Sequence, residues 1–199
     1  MSARDLFKDF YMEEPAKAAV TYEWTLALRE LPCFLNAPNI REFNAHHPSL
    51  PPLPDDMVRL TVWIDVLQLD QNLNSEDMGC QLLVSEIEYE EAEFHIVAAT
   101  RTVFDRSWCL HEIATRARAN KKSHVLKSLK CEDTPQSGEK FNQFDVASLA
   151  DTTRGHFYEE MRATKEADLI AIKQRIIKTC ATPERFNKAI MRVLHDASI

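Results

Sequence analysis

Residues 95–119 read H-I-V-A-A-T-R-T-V-F-D-R-S-W-C-L-H-E-I-A-T-R-A-R-A, and the fold turns on them. The opening part, 95–100, is a short apolar run with β-branched residues, and the remainder of the stretch has helical spacing. It therefore reads as buried strand, turn and helix. Asp105 or Ser107 is the candidate helix cap. Leu110, Ile113, Ala114 and Ala117 recur at helical spacing and predict the core face, while Trp108 and Glu112, four apart, share a neighbouring face. A carboxylate and an indole are thus expected side by side near the start of a helix. That end of the helix follows the C-terminal end of a strand, where open α/β sheets place their ligand crevice. The competing reading of the pair is structural: a Trp packed on the sheet and a Glu paired with a nearby Arg.

Composition sets outer bounds. With 199 residues, 45% of them hydrophobic, and three glycines, the chain is long enough for one sizeable domain and too apolar for disorder. A net charge of −7 without any basic cluster gives no electrostatic footprint for nucleic acid or an acidic membrane, so neither is expected as a partner. Cys33, Cys80, Cys109, Cys131 and Cys180 are scattered and odd in number, with no C-x-x-C spacing; they read as reduced thiols, with neither a metal site nor a disulfide expected. No basic-then-apolar leader and no apolar run approaching ~18 residues is present, which points to a cytoplasmic protein.

Residues 1–16 read as an N-terminal arm and 17–199 as one domain, with a helical extension from about residue 165. Residues 18–22 form the expected first strand, leaving Glu23 and Trp24 at its C-terminal end. Residues 25–35 have helical spacing limited by Pro32, and Pro48, Pro51, Pro52 and Pro54 make 36–56 an expected long loop. The apolar run 59–66 is expected as a central strand ended by Asp65. A helix over 81–93, starting near Ser75, is expected to bury Leu82, Leu83, Ile87 and Ala92 and to leave its acidic remainder in solvent. Residues 124–129 read as a fourth strand, 130–139 as a loop, and 141–149 as a candidate final strand. Two late helices complete the chain, one with Leu169, Ile172 and Ile176 on a stripe, the other capped by Thr182, opened by Pro183 and burying Phe186, Ile190, Val193 and Leu194. Alternating strands and helices predict a parallel sheet covered on both faces. The first strand is expected to be central.

Three short motifs in order carry a resemblance: V-T-Y-E-W at 20–24, V-W-I-D-V at 62–66 and W-C-L-H-E-I at 108–113. Together they resemble the TIR-like superfamily, and 65–72 with Ile87, Tyr89 and Ala92 is similar to the related fungal heterokaryon-incompatibility domains. With the late segment 167–190, the chain looks closest to TIR-like proteins of algae and other protists. The resemblance implies a flavodoxin-like open parallel sheet with extra C-terminal helices, and cleavage of the nicotinamide–ribose bond of NAD in immune, defence or cell-death signalling. NAD is then a substrate, no cofactor is required, and homo-oligomers or TIR–TIR assemblies are the implied partners. The chain departs from the family at Glu23 and Trp24, where active members often carry a basic residue, and after Asp65, where a glycine is common.

The implied chemistry suits the residues present. Nicotinamide leaves as a neutral ring from a cationic one, so no general acid is needed, and positive charge builds on the ribose. Glu112 is the candidate catalytic group, an ionised carboxylate that binds the ribose hydroxyls and stabilises that charge. Trp108 and Trp24 are candidates for stacking on ribose or base, Tyr22 and Arg101 for contacts to phosphate or ring, and Asp65 for ordering a covering loop. Glu23 and Thr100, at strand ends, complete the candidate substrate site. The alternative is a non-catalytic TIR-like module that acts by self-assembly. A Cys109 nucleophile with His111 is disfavoured, because residues two apart on a helix point apart.

Overall fold

The computed structural model describes residues 16–23, 31–57, 60, 62–64, 78–100, 102–127 and 155–197. Four parallel strands form one sheet: β1 (Ala18–Thr21), β2 (Val62–Trp63), β3 (Phe94–Ala98) and β4 (His124–Leu126), in the order β2-β1-β3-β4. The helices are α1 (Leu31–Leu35), α2 (Ala37–His46), α3 (Met78–Glu91), α4 (Ser107–Arg118), α5 (Phe157–Glu160), α6 (Glu166–Cys180) and α7 (Pro183–Asp196). The result is an α/β protein with helices on both sheet faces, and its strand order is compatible with a flavodoxin-like fold. The first strand is interior to the sheet, as expected. Strand 59–66, expected to be central, corresponds to β2 at the end of this order, and its interior-like composition reflects Trp63 packing with Ala19, Tyr89 and Ala92.

Register decides which side chains meet. Ala18 pairs with Phe94, Val20 with Ile96 and Ala98 with Leu126, and this face packs on α1, α2 and the segment carrying Leu50, Leu53 and Met57. Alternate residues face the other way. Ala19, Thr21, His95, Val97 and Val125 thus face the side where α3 and α4 lie. Helix α4 is buried nearly all round, because the sheet lies on one side of it and Ile172, Ile176, Phe186, Ile190, Val193 and Leu194 of α6 and α7 on the other. The two late helices therefore close the core, with Thr182 Oγ1 accepting from Arg185 N as their sequence predicts.

Three expectations need correction. Residues 36–56 are not one long loop. Asn36 caps α2, its Oδ1 accepting from Asn39 N at 2.9 Å, and Pro38 sits in the first turn, where a missing N–H costs nothing. Only the stretch after α2 is irregular, and Asn44 brackets Leu53 there by bonding both its N–H and its carbonyl. Helix α3 is rotated from the expected face: Leu82, Ser85, Glu86, Tyr89 and Ala92 are buried, whereas Leu83 and Ile87 are 49% and 45% exposed. Polar partners select this face. Tyr89 donates its hydroxyl to Val20 O at 3.0 Å, and the Glu86 carboxylate is gripped by the Arg175 guanidinium. Finally, neither Asp105 nor Ser107 occupies the N-cap of α4. Arg106 does, in extended conformation, after a 3₁₀ turn over Val103–Asp105. Its neighbours are tied to a passing segment instead, Ser107 N donating to Arg162 O at 2.8 Å and Arg162 N to Asp105 O at 2.7 Å.

Arg116 joins the far ends of these helices. Its guanidinium donates to the carbonyls of Tyr89 in the last turn of α3, of Ala92 and Glu93 after α3, and of Lys122 after α4. Burial lowers it to about 10, so it stays charged at neutral pH. Among the described residues, no helix is long and apolar enough to cross a membrane.

Candidate functional site

Successive connections run from β1 outward to β2 on one side and from β3 outward to β4 on the other, so the direction of winding reverses between β1 and β3. Doubly wound sheets open a crevice at the carboxyl ends of the strands at such a point. Thr21, Tyr22 and Glu23 lie at the end of β1, and Thr100 and Thr102 follow β3. The Thr102 hydroxyl donates to the Glu23 carboxylate, which ties the two strand ends together.

Glu112 reaches this point from the middle of α4. The residue is 2% exposed, and its Oε2 accepts from the Thr21 hydroxyl at 2.7 Å. Thr21 Oγ1 also lies 2.9 Å from His95 Nε2, and His95 Nδ1 lies 2.8 Å from Ser123 Oγ. One turn before Glu112, Cys109 donates its thiol to Tyr22 O at 3.3 Å, fixing α4 against the end of β1. Burial, with the positive charge of Arg116 and the neighbouring His124 ring, holds His95 well below the ordinary histidine range, so it is neutral at physiological pH. His124 itself is pushed down by burial, although its ring nitrogens face Pro51 O at 2.8 Å and His95 O at 3.3 Å.

The expected site residues separate into four groups. Glu112, Glu23 and Thr100 lie at or beside the strand ends, and the Thr100 hydroxyl is buried without a hydrogen-bond partner among the described residues. Tyr22 follows Thr21, and its ring belongs to the apolar cluster on the opposite face of the sheet. Trp108 is half-buried and packs against the cluster formed by α4, α6 and α7. Trp24, Asp65 and Arg101 lie outside the described residues, as do most of the expected N-terminal arm, the loop 130–139 and the candidate strand 141–149. Among the described residues, the Glu112 carboxylate accepts from the Thr21 hydroxyl. Cys109 and His111 diverge as helix geometry requires, the thiol toward Tyr22 O and the His111 ring toward Glu86 Oε1 at 3.3 Å.

Thr21, His95 and Ser123 are polar members of this centre that sequence reading passes over. Thr is an ordinary strand residue and gives no signal. The one available sign is His95, a titratable residue opening an otherwise apolar strand run. Among the described residues, no group of three or more His, Cys, Asp or Glu could hold a metal ion. Comparisons with models of known protein families, with curated proteins and with solved structures each find no match, so functional interpretation rests on this geometry and its chemistry.

Proposed function

We propose that this chain is a TIR-like α/β domain that cleaves the nicotinamide–ribose bond of NAD, releasing nicotinamide with ADP-ribose or its cyclic form. The observation that carries the reading is the Glu112 carboxylate, enclosed at the reversal point of a parallel sheet and oriented by the last hydroxyl of β1. In such an enclosed setting a fixed negative charge acts on developing positive charge with little screening. The bond electrons leave with nicotinamide, which becomes neutral. Glu112 stabilises the ribosyl cation until water, or the adenine ring in a cyclisation, attacks the anomeric carbon, water giving up a proton on hydrolysis. The hydroxyl of Thr100, buried and unpartnered among the described residues, adds a polar group beside the crevice that a ribose or phosphate oxygen would satisfy.

Nicotinamide release by the concentrated purified chain tests this directly. Glu112→Gln keeps shape and removes the charge, and turnover is expected to fall ~10²- to 10³-fold, the order for one electrostatic group, with the melting temperature little changed. No release by the wild type, or a fully active Glu112→Gln, overturns the enzyme reading. A second reading is favoured by a separate observation: Leu83, Val84 and Ile87 form an exposed apolar stripe on α3, as a module acting by self-assembly would present. Concentration-dependent association abolished by Ile87→Lys, without NAD cleavage, is the result that selects it.

A further inference from the structure

We propose that Ser123, His95 and Thr21 form a one-way hydrogen-bond chain that holds the Glu112 carboxylate from across the sheet, with His95 carrying its proton on Nε2. The assignment comes from counting hydrogens. An ionised carboxylate only accepts, so the single Thr21 hydroxyl hydrogen is committed to Glu112 Oε2 at 2.7 Å. Thr21 Oγ1 then has only lone pairs to offer His95 Nε2 at 2.9 Å, and Nε2 must be the donor. A neutral imidazole has one N–H, so Nδ1 is left as an acceptor and the Ser123 hydroxyl, 2.8 Å away, donates to it. Each donor in the series points toward Glu112.

The surroundings fit a neutral ring in one tautomer. His95 is fully buried; the Tyr89 ring meets it edge-on with centroids 5.2 Å apart, from α3. Arg116 from α4 and His124 from β4 are the charged and titratable groups that act on it, and both disfavour an imidazolium. On α4, Arg116 lies one turn beyond Glu112 and Cys109 one turn before it. The chain spans the sheet from Ser123, just before β4, to Thr21, the last residue of β1. Its direction is tied to the charge on Glu112. If Glu112 gains a proton, the carboxyl O–H donates to Thr21, Thr21 donates to Nε2, and His95 turns Nδ1–H toward Ser123. The number of protons within the three-residue chain is unchanged by this reversal.

Thr21 and His95 are thus positioning residues for Glu112, a role that rests on the catalytic reading above; the direction of the chain does not. The test uses the full chain with labelled histidine and glutamate. Nitrogen and carbon chemical shifts of wild-type His95 at pH 7 should report the Nε2–H form, and the Nδ1–H form or an imidazolium overturns the proposal. Thr21→Val removes the donor to the charged carboxylate, so the carboxyl titration of Glu112 should move to higher pH, and Thr21→Ser should restore it. Nicotinamide release should fall on the order of tenfold in Thr21→Val, and the acid limb of its pH profile should move up with the titration. An unmoved titration in folded Thr21→Val overturns the proposal. If Thr21→Val does not fold, the wild-type tautomer decides alone. Wild type with the Nε2–H form and a titration that responds to Thr21, but no nicotinamide release, upholds the chain and removes the catalytic reading.

Discussion

Glu86 stands where sequence pattern places a solvated acid, yet it is buried between α3, α4 and α6. Burial alone would raise its carboxyl, but hydrogen bonds from Arg175 and His111 outweigh that and hold it at about 2. A carboxylate depressed on folding adds stability that is complete above its ordinary value of 4.5 and is lost as pH falls from there toward about 2. Glu86→Gln is therefore expected to lower unfolding free energy at pH 7 by about 2–3 kcal/mol, toward the low end for breaking a buried pair because Arg175 is partly exposed. Denaturant unfolding at pH 7, 4.5 and 3 checks this, since the gap between variant and wild type should narrow only below 4.5. A gap that persists unchanged at pH 3 would assign the loss to packing rather than charge.

At the scale of elements, α3 is the sharpest case. Leu82 is buried while Leu83 and Ile87 are not. Leu82→Ala should cost ~2–4 kcal/mol, whereas Leu83→Lys and Ile87→Lys should each stay within ~0.5 kcal/mol. Thermal melts of the three variants distinguish this rotation from the one that apolar spacing suggests. The difference shows what pattern can carry. Strands β1, β3 and β4 and helices α4, α6 and α7 are legible because burial of an apolar run or stripe is their main determinant. Helix α2 is hidden because a proline reads alike as a breaker and as a first-turn residue, and only the Asn36 cap separates the two. The face of α3 is set by Tyr89 and Glu86 finding partners at positions 20 and 175, which no local period encodes. The candidate site divides in the same way. Glu112 stands out beside Trp108 within one helix, but Thr21 joins it from 91 residues away, and His95 joins Thr21 across 74.

For the molecule as a whole, three histidines titrate low: His95 and His124 in the strands of the sheet, and His47 at the end of α2. His47, His95 and His124 are all lowered from 6.5, chiefly by burial. Such groups stay neutral in the folded state while the unfolded chain takes up protons below that value, so stability present above pH 6.5 declines as pH falls. The two deeply buried rings, His95 and His124, should each contribute a slope approaching ~1.4 kcal/mol per pH unit, as an upper bound, about one unit or more below their unfolded values. Unfolding free energies measured from pH 7 to 5 should fall accordingly, and a flat profile would mean that these rings are charged or exposed. Below 4.5 the loss of the Glu86 contribution adds to this decline, and the Glu86→Gln variant, which lacks it, separates the two effects.

The grip of Arg116 on the carbonyls of Tyr89, Ala92, Glu93 and Lys122 bears on how this sequence can drift. Every amino acid carries a main-chain oxygen, so the clamp holds both turns without consulting their side chains. Exposed positions such as Glu91 and Glu93 are free to vary over generations while the turns keep their shape. Residue 116 has no such freedom. Lysine keeps the charge but concentrates its donors at one point, and it cannot spread them over four oxygens as the guanidinium fork does. A single inflexible position thus purchases tolerance for two stretches of surface.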